Sequence, residues 1–281
     1  MIRLTCDGLD PLVLDDWDAG LVCQEFDLGW PTIRDVVEDR PGADGTFDTT
    51  IYHGARVVSV RVAVVAGSWS SRRALIDHLT GFLHPARRPT MEFVDPTSGG
   101  TRTMLLRPVD ASAPMTNPTV TEVAAQWVAP SGVMTSAEVH QDSLLPSGEA
   151  GGWSPPLDPP LTFPAFTGSG AVQVNNIGNA PAHWTAKIFG PCSAPSITNR
   201  NTGQVVRFPE LAILDGDYLE VDSQTRTVTL NSDPGSSRYR FLDFGASSWW
   251  TLAPGATFVE FTAESATPPS VADLLWRDTW I

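Results

Sequence analysis

The chain has 281 residues, of which 42% are hydrophobic, and its 18 Lys and Arg against 32 Asp and Glu give a formal net charge of −14. This content excludes disorder over most of the chain, and the length suits two domains of roughly 140 residues each. The acidity disfavours binding of duplex nucleic acid through a basic face, because phosphate is repelled. It is compatible with a carboxylate-lined channel along which DNA slides, or simply with the solubility of an abundant protein.

The first residues lack a basic region followed by an apolar run, and no apolar stretch reaches the ~18 residues of a membrane span. We therefore expect neither a signal peptide nor a membrane anchor. The cysteines Cys6, Cys23 and Cys192 are far apart and form no CxxC pair. Their spacing predicts buried free thiols and argues against a disulfide framework or a zinc site.

The first half of the chain alternates strand signals with one helix signal. The stretch from Trp30 to Gly54 has a charged centre with Pro and Gly, which predicts a surface hairpin or loop, and a short strand signal follows at Thr46 to Tyr52. In Arg56 to Ala66, valines alternate with a second, largely apolar set of residues. This pattern predicts a strand that is central or covered on both faces.

A helix is predicted next, because apolar residues recur near the helical period between Arg72 and Leu83. Ser70 or Ser71 would cap it and Pro85 would end it. Two further segments, TMEFVD and TRTMLLRPVDA, are predicted to be strands around the turn at 95–100, and VTEVAAQWVA is predicted to be another strand.

The second half of the chain follows a segment rich in Pro and Gly. Residues 143–165 have no lasting periodicity, which predicts a linker between a domain of residues 1–142 and a domain of residues 166–281. Short strand signals separated by turns then predict a β-sandwich. These strands are expected at 171–175, 182–189, 240–244 and 258–262, with one hairpin at 196–208 and another that joins 218–221 to 227–230.

A search for reactive constellations finds none that is specific. There is no GxSxG in a strand–turn–helix setting, no HExxH, no Walker loop and no GxGxxG. The five histidines are isolated, and the acidic pairs Asp15–Asp16 and Glu38–Asp39 are typical of solvated loops. Asp215-Gly216-Asp217 lacks the later ligands of an EF-hand. We therefore expect no catalytic residue, no cofactor and no metal.

The ten tryptophans divide into two predicted groups. Trp127 and Trp184 alternate with apolar neighbours and are predicted to be core residues. Five others lie near loops or ends, where packing and partner contact are equally compatible with the sequence. These five are Trp17, Trp30, Trp153, Trp276 and Trp280.

Several runs, in their order along the chain, resemble the distal tail proteins of siphovirus-type bacteriophages, especially those of actinobacterial phages. The resemblance spans most of the chain and is weakest in the linker. The runs that carry it are 36–45, 48–50, 52–56, the helix at 72–83, 175–182, 190–191, 214–222, 252–255 and 276–281.

The resemblance implies a mainly β protein of two domains. The first would be a β-barrel-like, ring-forming domain with one helix, and the second a galectin-like β-sandwich without room for an inserted carbohydrate-binding module. It further implies a hexameric ring at the tail tip of the virion, assembled in the host cytoplasm. The partners would be the tail tube protein, the tail-tip hub protein and the tape-measure protein, with DNA only in transit.

Closed rings use heterologous contacts, for which strand edges and long arms are suited. We expect the stretch from Arg40 to Thr50 to be such an arm, so that its deletion would leave a folded monomer that forms no rings. The candidate interface residues are Arg40, Asp44, Asp48, Thr50 and Trp30. Two alternatives remain open: an adhesin that binds host cell-wall glycans, and a wall-degrading hydrolase.

Overall fold

The computed structural model describes residues 1–35, 38–48, 50–114, 119–147, 171–267 and 270–281. The chain divides into two compact units, one made of residues 1–137 with 280–281 and the other of residues 138–279. The structure is mainly β, as predicted, and both units consist of antiparallel sheets with few exceptions.

The first unit holds β1 (Ile2–Cys6), β2 (Leu9–Val13), β3 (Leu21–Asp27), β4 (Pro31–Arg34), β5 (Tyr52–Val65), α1 (Trp69–Gly81), β6 (Thr90–Val94), β7 (Thr101–Leu105), β8 (Arg107–Ser112), β9 (Val120–Ala129) and β10 (Met134–Ser136). The second holds β11 (His140–Leu144), β12 (Pro146–Ser147), β13 (Ala171–Asn176), β14 (Trp184–Phe189), β15 (Cys192–Ser193), β16 (Ser196–Asn199), β17 (Val205–Arg207), β18 (Ala212–Ile213), β19 (Tyr218–Asp222), β20 (Thr227–Leu230), a 3-10 turn (Tyr239–Phe241), β21 (Gly255–Thr262), β22 (Ser265–Ala266) and β23 (Val271–Trp276). The last strand is β24 (Thr279–Trp280).

Two sheets and the helix enclose the core of the first unit. One sheet has the order β2-β1-β6-β7-β10-β24, and the other, which we call the β5 sheet, has the order β3-β5-β9-β8 with β4 also paired to β5. Leu4 and Met91 of the first sheet, Val60 and Trp127 of the β5 sheet, and Ile76 of α1 belong to one buried cluster. Burial of this apolar surface is the main stabilising contribution in the unit.

The second unit is a sandwich of two principal sheets around one core. Their orders are β11-β23-β14-β19-β20 and β12-β21-β16-β17, with β13 also paired to β21, and a small third sheet has the order β18-β15-β22. Ile188 and Leu274 of the first sheet and Val259 and Phe261 of the second share one buried cluster. The predicted hairpins at 196–208 and 218–230 are confirmed by the β16–β17 and β19–β20 pairings.

The predicted domain limits differ from the observed ones. The first unit ends at residue 137, earlier than the predicted 142, because β11 pairs with β23 and so belongs to the second unit. Leu144, predicted to lie in the linker, is fully buried in the core of the second unit. Residues 280–281 belong to the first unit, whereas the predicted second domain ran to 281. The linker residues 148–165 lie outside the described residues.

Other local predictions are corrected by specific contacts. The helix begins at Trp69 and its cap is Ser68, whose hydroxyl accepts the backbone N–H of Ser71, so neither Ser70 nor Ser71 is the cap. β5 is central, as predicted, but Val57 and Val65 are each 43% exposed, so only one of its faces is covered. The predicted strand at 240–244 is wrong, because a 3-10 turn occupies 239–241. The strand signal at 46–52 yields only the start of β5.

Candidate subunit interface

The outermost strands on both sides of the β5 sheet each pair with one other strand and leave their outer edge unpaired. Within the part of the chain that the structure describes, β3 and β4 pair only with β5, and β8 pairs only with β9. All these pairs are antiparallel, so β3 and β8 run in opposite directions. The unpaired backbone groups of such edges can form hydrogen bonds with a strand of another chain.

β8 has the features of an exposed edge strand. Five of its six residues are exposed, and the exception is Pro108, whose ring leaves no N–H to donate. The backbone N–H of Ala111 donates to Oδ1 of Asp110 at 2.8 Å, so a solvent-exposed carboxylate satisfies it. This edge was not predicted from the sequence, although Pro108 within a strand pattern is the signal that could have indicated it.

The face of the β5 sheet opposite the core is uncovered within its unit and carries polar side chains as well as the exposed Val57 and Val65. Nη2 of Arg61 lies 3.5 Å from Oε2 of Glu25, and the side-chain amide of Gln126 donates to the hydroxyl of Ser59 at 3.3 Å. These contacts join β3, β5 and β9 side by side. We call this surface the bare face.

The predicted surface hairpin at the centre of the Trp30–Gly54 stretch is confirmed. Asp39 and Thr46 form an isolated antiparallel bridge, and the backbone N–H of Arg40 donates to the carbonyl of Gly45 at 3.0 Å. The guanidinium of Arg40 lies over the ring of Phe47, with 5.8 Å from its carbon to the ring centroid. We call the predicted stretch, residues 40–50, the arm; Thr49 of the arm and Val36 and Val37 before it lie outside the described residues.

The structure places the predicted interface residues on one exposed region of the first unit. Arg40, Asp44, Asp48 and Thr50 are all exposed residues of the arm, between β4 and the start of β5. Trp30 precedes β4 directly and is 79% exposed. Exposure is necessary for a contact with another chain but does not establish one, so these residues remain predictions.

The structure confirms the two predicted core tryptophans and places four of the other five. Trp127 and Trp184 are fully buried, as predicted, and the indole N–H of Trp184 donates to the carbonyl of Trp250 at 2.9 Å. Trp17 is 74% exposed, and Trp153 lies outside the described residues. Trp276 is a buried residue of the second core, and so it is not a surface contact. Trp280 packs partly buried against the first core.

The titratable residues form structural contacts. Nε2 of His140 lies 2.8 Å from Oδ2 of the buried Asp278, whose other oxygen accepts the backbone N–H of Ile177. Oδ1 of Asp217, in the Asp-Gly-Asp run, accepts a hydrogen bond from the side chain of Asn231 at 2.8 Å. Among the described residues, no group of three or more His, Cys, Asp or Glu side chains is placed to hold a metal ion.

The cysteines are free, as predicted, but they are not equally buried. Cys192 is buried in the second core, whereas Cys6 and Cys23 are partly exposed. Desolvation by burial raises the pKa of the Cys192 thiol, which keeps it in the unreactive thiol form. In the described segments, no helix is long and apolar enough to cross a membrane.

Known proteins resemble this chain in sequence over one unit and in fold over both. Residues 177–280 match the family of siphovirus-type tail components, C-terminal domain. No curated protein matches the sequence. The crystal structure of the SPP1 Dit protein, a paradigm of the hub adsorption apparatus in phages that infect Gram-positive bacteria, is similar over 100% of both chains with a TM-score of 0.68 and 14% identity. The phage P2 baseplate, in its activated conformation with Ca, contains a chain with a TM-score of 0.50 and 9% identity over 99% of this chain and 98% of that one.

At these identities the two solved structures show a shared fold, and the family match adds a sequence signal in the second unit. Neither finding favours the carbohydrate-binding alternative, because both describe components of phage tails or baseplates. The match of residues 177–280 to a siphovirus-type tail component family, together with the fold shared with the SPP1 Dit protein, confirms the resemblance to distal tail proteins expected from the sequence.

Proposed function

We propose that six copies of this chain form a closed ring at the distal end of the tail, joining the tail tube to the tail-tip hub and leaving a channel for DNA. The first unit is the barrel-like ring domain, and the second is a galectin-like sandwich on the outside of the ring. The contacts are made with the tail tube protein, the hub protein and the tape-measure protein. The role is structural, and no residue is assigned to catalysis or to a cofactor.

The two free edges of the β5 sheet support ring formation. Because β3 and β8 run in opposite directions, β8 of one copy can add to β3 of the next and keep the sheet antiparallel throughout. Each copy then gives one edge and receives the other, which is the heterologous contact of a closed cyclic assembly. Closure would also pair the two free edges at β3 and β8.

The width of such a barrel is compatible with six copies and excludes three. Each copy contributes four strands around the circumference, because β3 and β4 lie on the same side of β5. About 24 strands spaced ~4.8 Å apart and tilted by ~40° give a diameter of about 48 Å. Three copies would give about 24 Å, and side chains reaching about 5 Å from each wall would leave less than the ~20 Å of duplex DNA.

The charges of the bare face suit a channel for DNA. Carboxylates outnumber guanidinium groups on this face, and all of these residues are exposed. The acidic residues are Glu25, Asp27, Asp110 and Glu122, and the basic ones are Arg61 and Arg107. A face with this excess repels phosphate and gives a passing duplex few cationic sites to bind. The net charge of the whole chain, −14, agrees with this reading.

We further propose that the arm makes a second contact between copies, through the exposed residues Arg40, Asp44, Asp48 and Thr50, with Trp30 at its base. A hairpin that projects from the end of β4 and β5 presents polar and aromatic groups without disturbing its own core. Tyr, Trp and Arg are enriched in such contacts.

The ring is tested by the substitution Ala111→Pro on β8. The backbone N–H of Ala111, which now donates to the side chain of Asp110, is the group that a neighbouring strand would need, and proline removes it. Because Ala111 is exposed, the proline ring does not clash with the core. The matched control is Ala111→Val, which retains the N–H and favours a strand. Mass measurement by light scattering and negative-stain electron microscopy report the assembly.

We expect rings for the wild type and for Ala111→Val, and folded monomers for Ala111→Pro. Circular dichroism checks that all three chains have the same strand content. A wild-type chain that stays monomeric at every concentration, and is missing from purified virions, would refute the proposed function. Rings of unchanged mass in Ala111→Pro would exclude β8 as the closing edge.

A further inference from the structure

An open apolar groove lies at the end of β5 opposite the arm. It is formed by the turn before β3, the last residues of β5 and one side of α1, and it has a volume of about 760 Å3. Its apolar wall consists of Trp17, Val22, Val65 and Leu75. Trp17 is 74% exposed and Val65 is 43% exposed, so much of this wall faces solvent in the single chain. An exposed Trp beside an apolar groove is typical of a binding site for another protein.

The groove is a fixed part of the fold. The backbone N–H of Val65 donates to the carbonyl of Gly20 at 2.8 Å, and Gly20 has a φ of +81°. A Cβ at Gly20 would lie 2.1 Å from the carbonyl oxygen of Val65, so only glycine allows this turn to approach β5. A carboxylate oxygen of Asp16 accepts the backbone N–H of Ala19 at 3.0 Å and stabilises the same turn. The groove therefore requires little ordering when it is filled.

The groove lies in a strongly acidic part of the chain. Residues 4–33 contain no Lys, Arg or His, and their acidic residues are Asp7, Asp10, Asp15, Asp16, Asp18, Glu25 and Asp27. Three of these carboxylates flank Trp17 in the sequence, and Asp10 lies beside a second, smaller depression that shares His78 with the groove. Within the described part of the chain, none of the six Asp residues forms an ion pair. Their negative charge is therefore available to attract a cationic partner.

The same charge disfavours a second copy of this chain as the occupant. Its most prominent exposed segment is also acidic, because residues 38–50 carry Glu38, Asp39, Asp44 and Asp48 against Arg40 alone. The whole chain has a formal net charge of −14, so two copies repel each other wherever no specific pairing compensates. A segment that complements this groove has apolar side chains and a positive charge, and it belongs to a different protein.

The position of the groove along β5 indicates where that protein lies in the proposed ring. The arm precedes Tyr52 and the groove lies at Val65, so the two are separated by the length of β5, or about 43 Å. With a strand tilt of ~40°, the separation along the ring axis is about 33 Å. Arms and grooves are therefore at opposite rims, and sixfold symmetry places all six grooves at the same rim.

We propose that this groove binds a basic, apolar segment of the tail protein that abuts this rim. An apolar side chain of the segment packs against Trp17 and Val65, and its Lys or Arg side chains lie beside Asp10 and Asp18. The placement at one rim rests on the proposed ring, whereas the preference for a basic, apolar segment rests on the groove of the single chain. Six equal grooves also strengthen a contact with a partner that presents several such segments, because the later binding events are intramolecular.

The preference of the groove is tested with the full-length chain and a synthetic peptide of alternating Leu and Arg, titrated by calorimetry. We expect the peptide to bind, and the same peptide with Glu in place of Arg not to bind. Trp17→Ala should weaken binding about tenfold, and the double variant Asp10→Asn with Asp18→Asn about fivefold at low salt. These positions are exposed, so the fold is preserved, and Glu210→Gln with Asp215→Asn is the matched control in the second unit. Peptide binding that both groove variants leave unchanged would overturn the inference.

The natural occupant is identified in purified tails by photo-cross-linking. A benzoylphenylalanine replaces Ala74, an exposed residue of α1 that lines the groove, and the same group at the exposed Ala246 of the second unit reports the background. We expect the groove position to capture an apolar segment of another tail protein that carries an excess of Lys and Arg. Capture of a second copy of this chain, capture of a segment without positive charge, or no capture above background would each overturn the inference. Rings seen by electron microscopy in the same sample would leave the proposed function intact, whereas absence of this chain from the tails would refute it.

Discussion

Replacement of Trp280 by alanine should destabilise the first unit alone, because this residue completes its six-stranded sheet. The guanidinium carbon of Arg102 lies 4.3 Å from the centroid of the Trp280 ring, and Arg102 also forms an ion pair with Asp95. The side chain of Arg102 is only 19% exposed, which places the cation–π contribution at about 1–2 kcal/mol. Loss of roughly 100 Å2 of buried ring surface adds about 2 kcal/mol. We discount the sum to about 3 kcal/mol, because unfolded chains retain some burial.

Native-state hydrogen exchange followed by mass spectrometry is the appropriate assay, because it resolves the two units. A loss of about 3 kcal/mol corresponds to roughly 150-fold faster exchange in peptides of β7 and β10. Peptides of β14 and β23, in the second unit, should exchange as in the wild type. Trp280→Phe retains a ring over Arg102 and should lose less than about 1 kcal/mol. Unchanged exchange in β7 and β10, or faster exchange only in the second unit, would refute this account of the terminal residue.

Two further predictions concern charges. The backbone N–H of Thr97 is the main cause that holds the pKa of Asp95 below its ordinary value, with Ser98 and Arg102 adding to it. Since the folded pKa is the lower one, the stabilisation is complete above the unfolded value of ~3.9 and is lost as pH falls through the folded pKa. Asp95→Asn should therefore lower the melting temperature at pH 7 and remove that part of the acid sensitivity; an equal acid response in both chains would contradict this. On the bare face, rings of the double variant Asp110→Arg with Glu122→Arg should bind duplex DNA in a low-salt gel-shift assay, whereas wild-type rings should not. Equal DNA binding by both would argue against this face as the channel wall.

The sequence predicts the local elements well where one pattern decides them. The alternation around Val60 and the helical period around Ile76 were sufficient for β5 and α1, because the buried sets there are regular. Period-two patterns do not indicate which sheet a strand joins. The predicted single strand at 101–111 is in fact β7 and β8 in two different sheets, and the chain crosses between them at the fully buried Leu106.

The candidate interface was predicted only in part, and for a similar reason. Charge, Pro and Gly predicted the hairpin that carries Arg40, because they act through the local chain. The free edge at Ala111 arises from pairing between segments far apart in sequence, and no local pattern contains it. For Trp276 the sequence left packing and partner contact equally open, and the structure decides for packing, because β23 lies between β11 and β14 and buries this side chain.

The division of the chain has a consequence for its synthesis. The second unit is inserted between Ala137 and Trp280, so the first unit can add β24 to its sheet only after the whole second unit has left the ribosome. Until then, the first unit lacks the contact between Arg102 and Trp280. Truncated products from premature termination anywhere in the second unit would therefore carry an incomplete first unit, and this gives quality control a way to remove them before they enter an assembling tail.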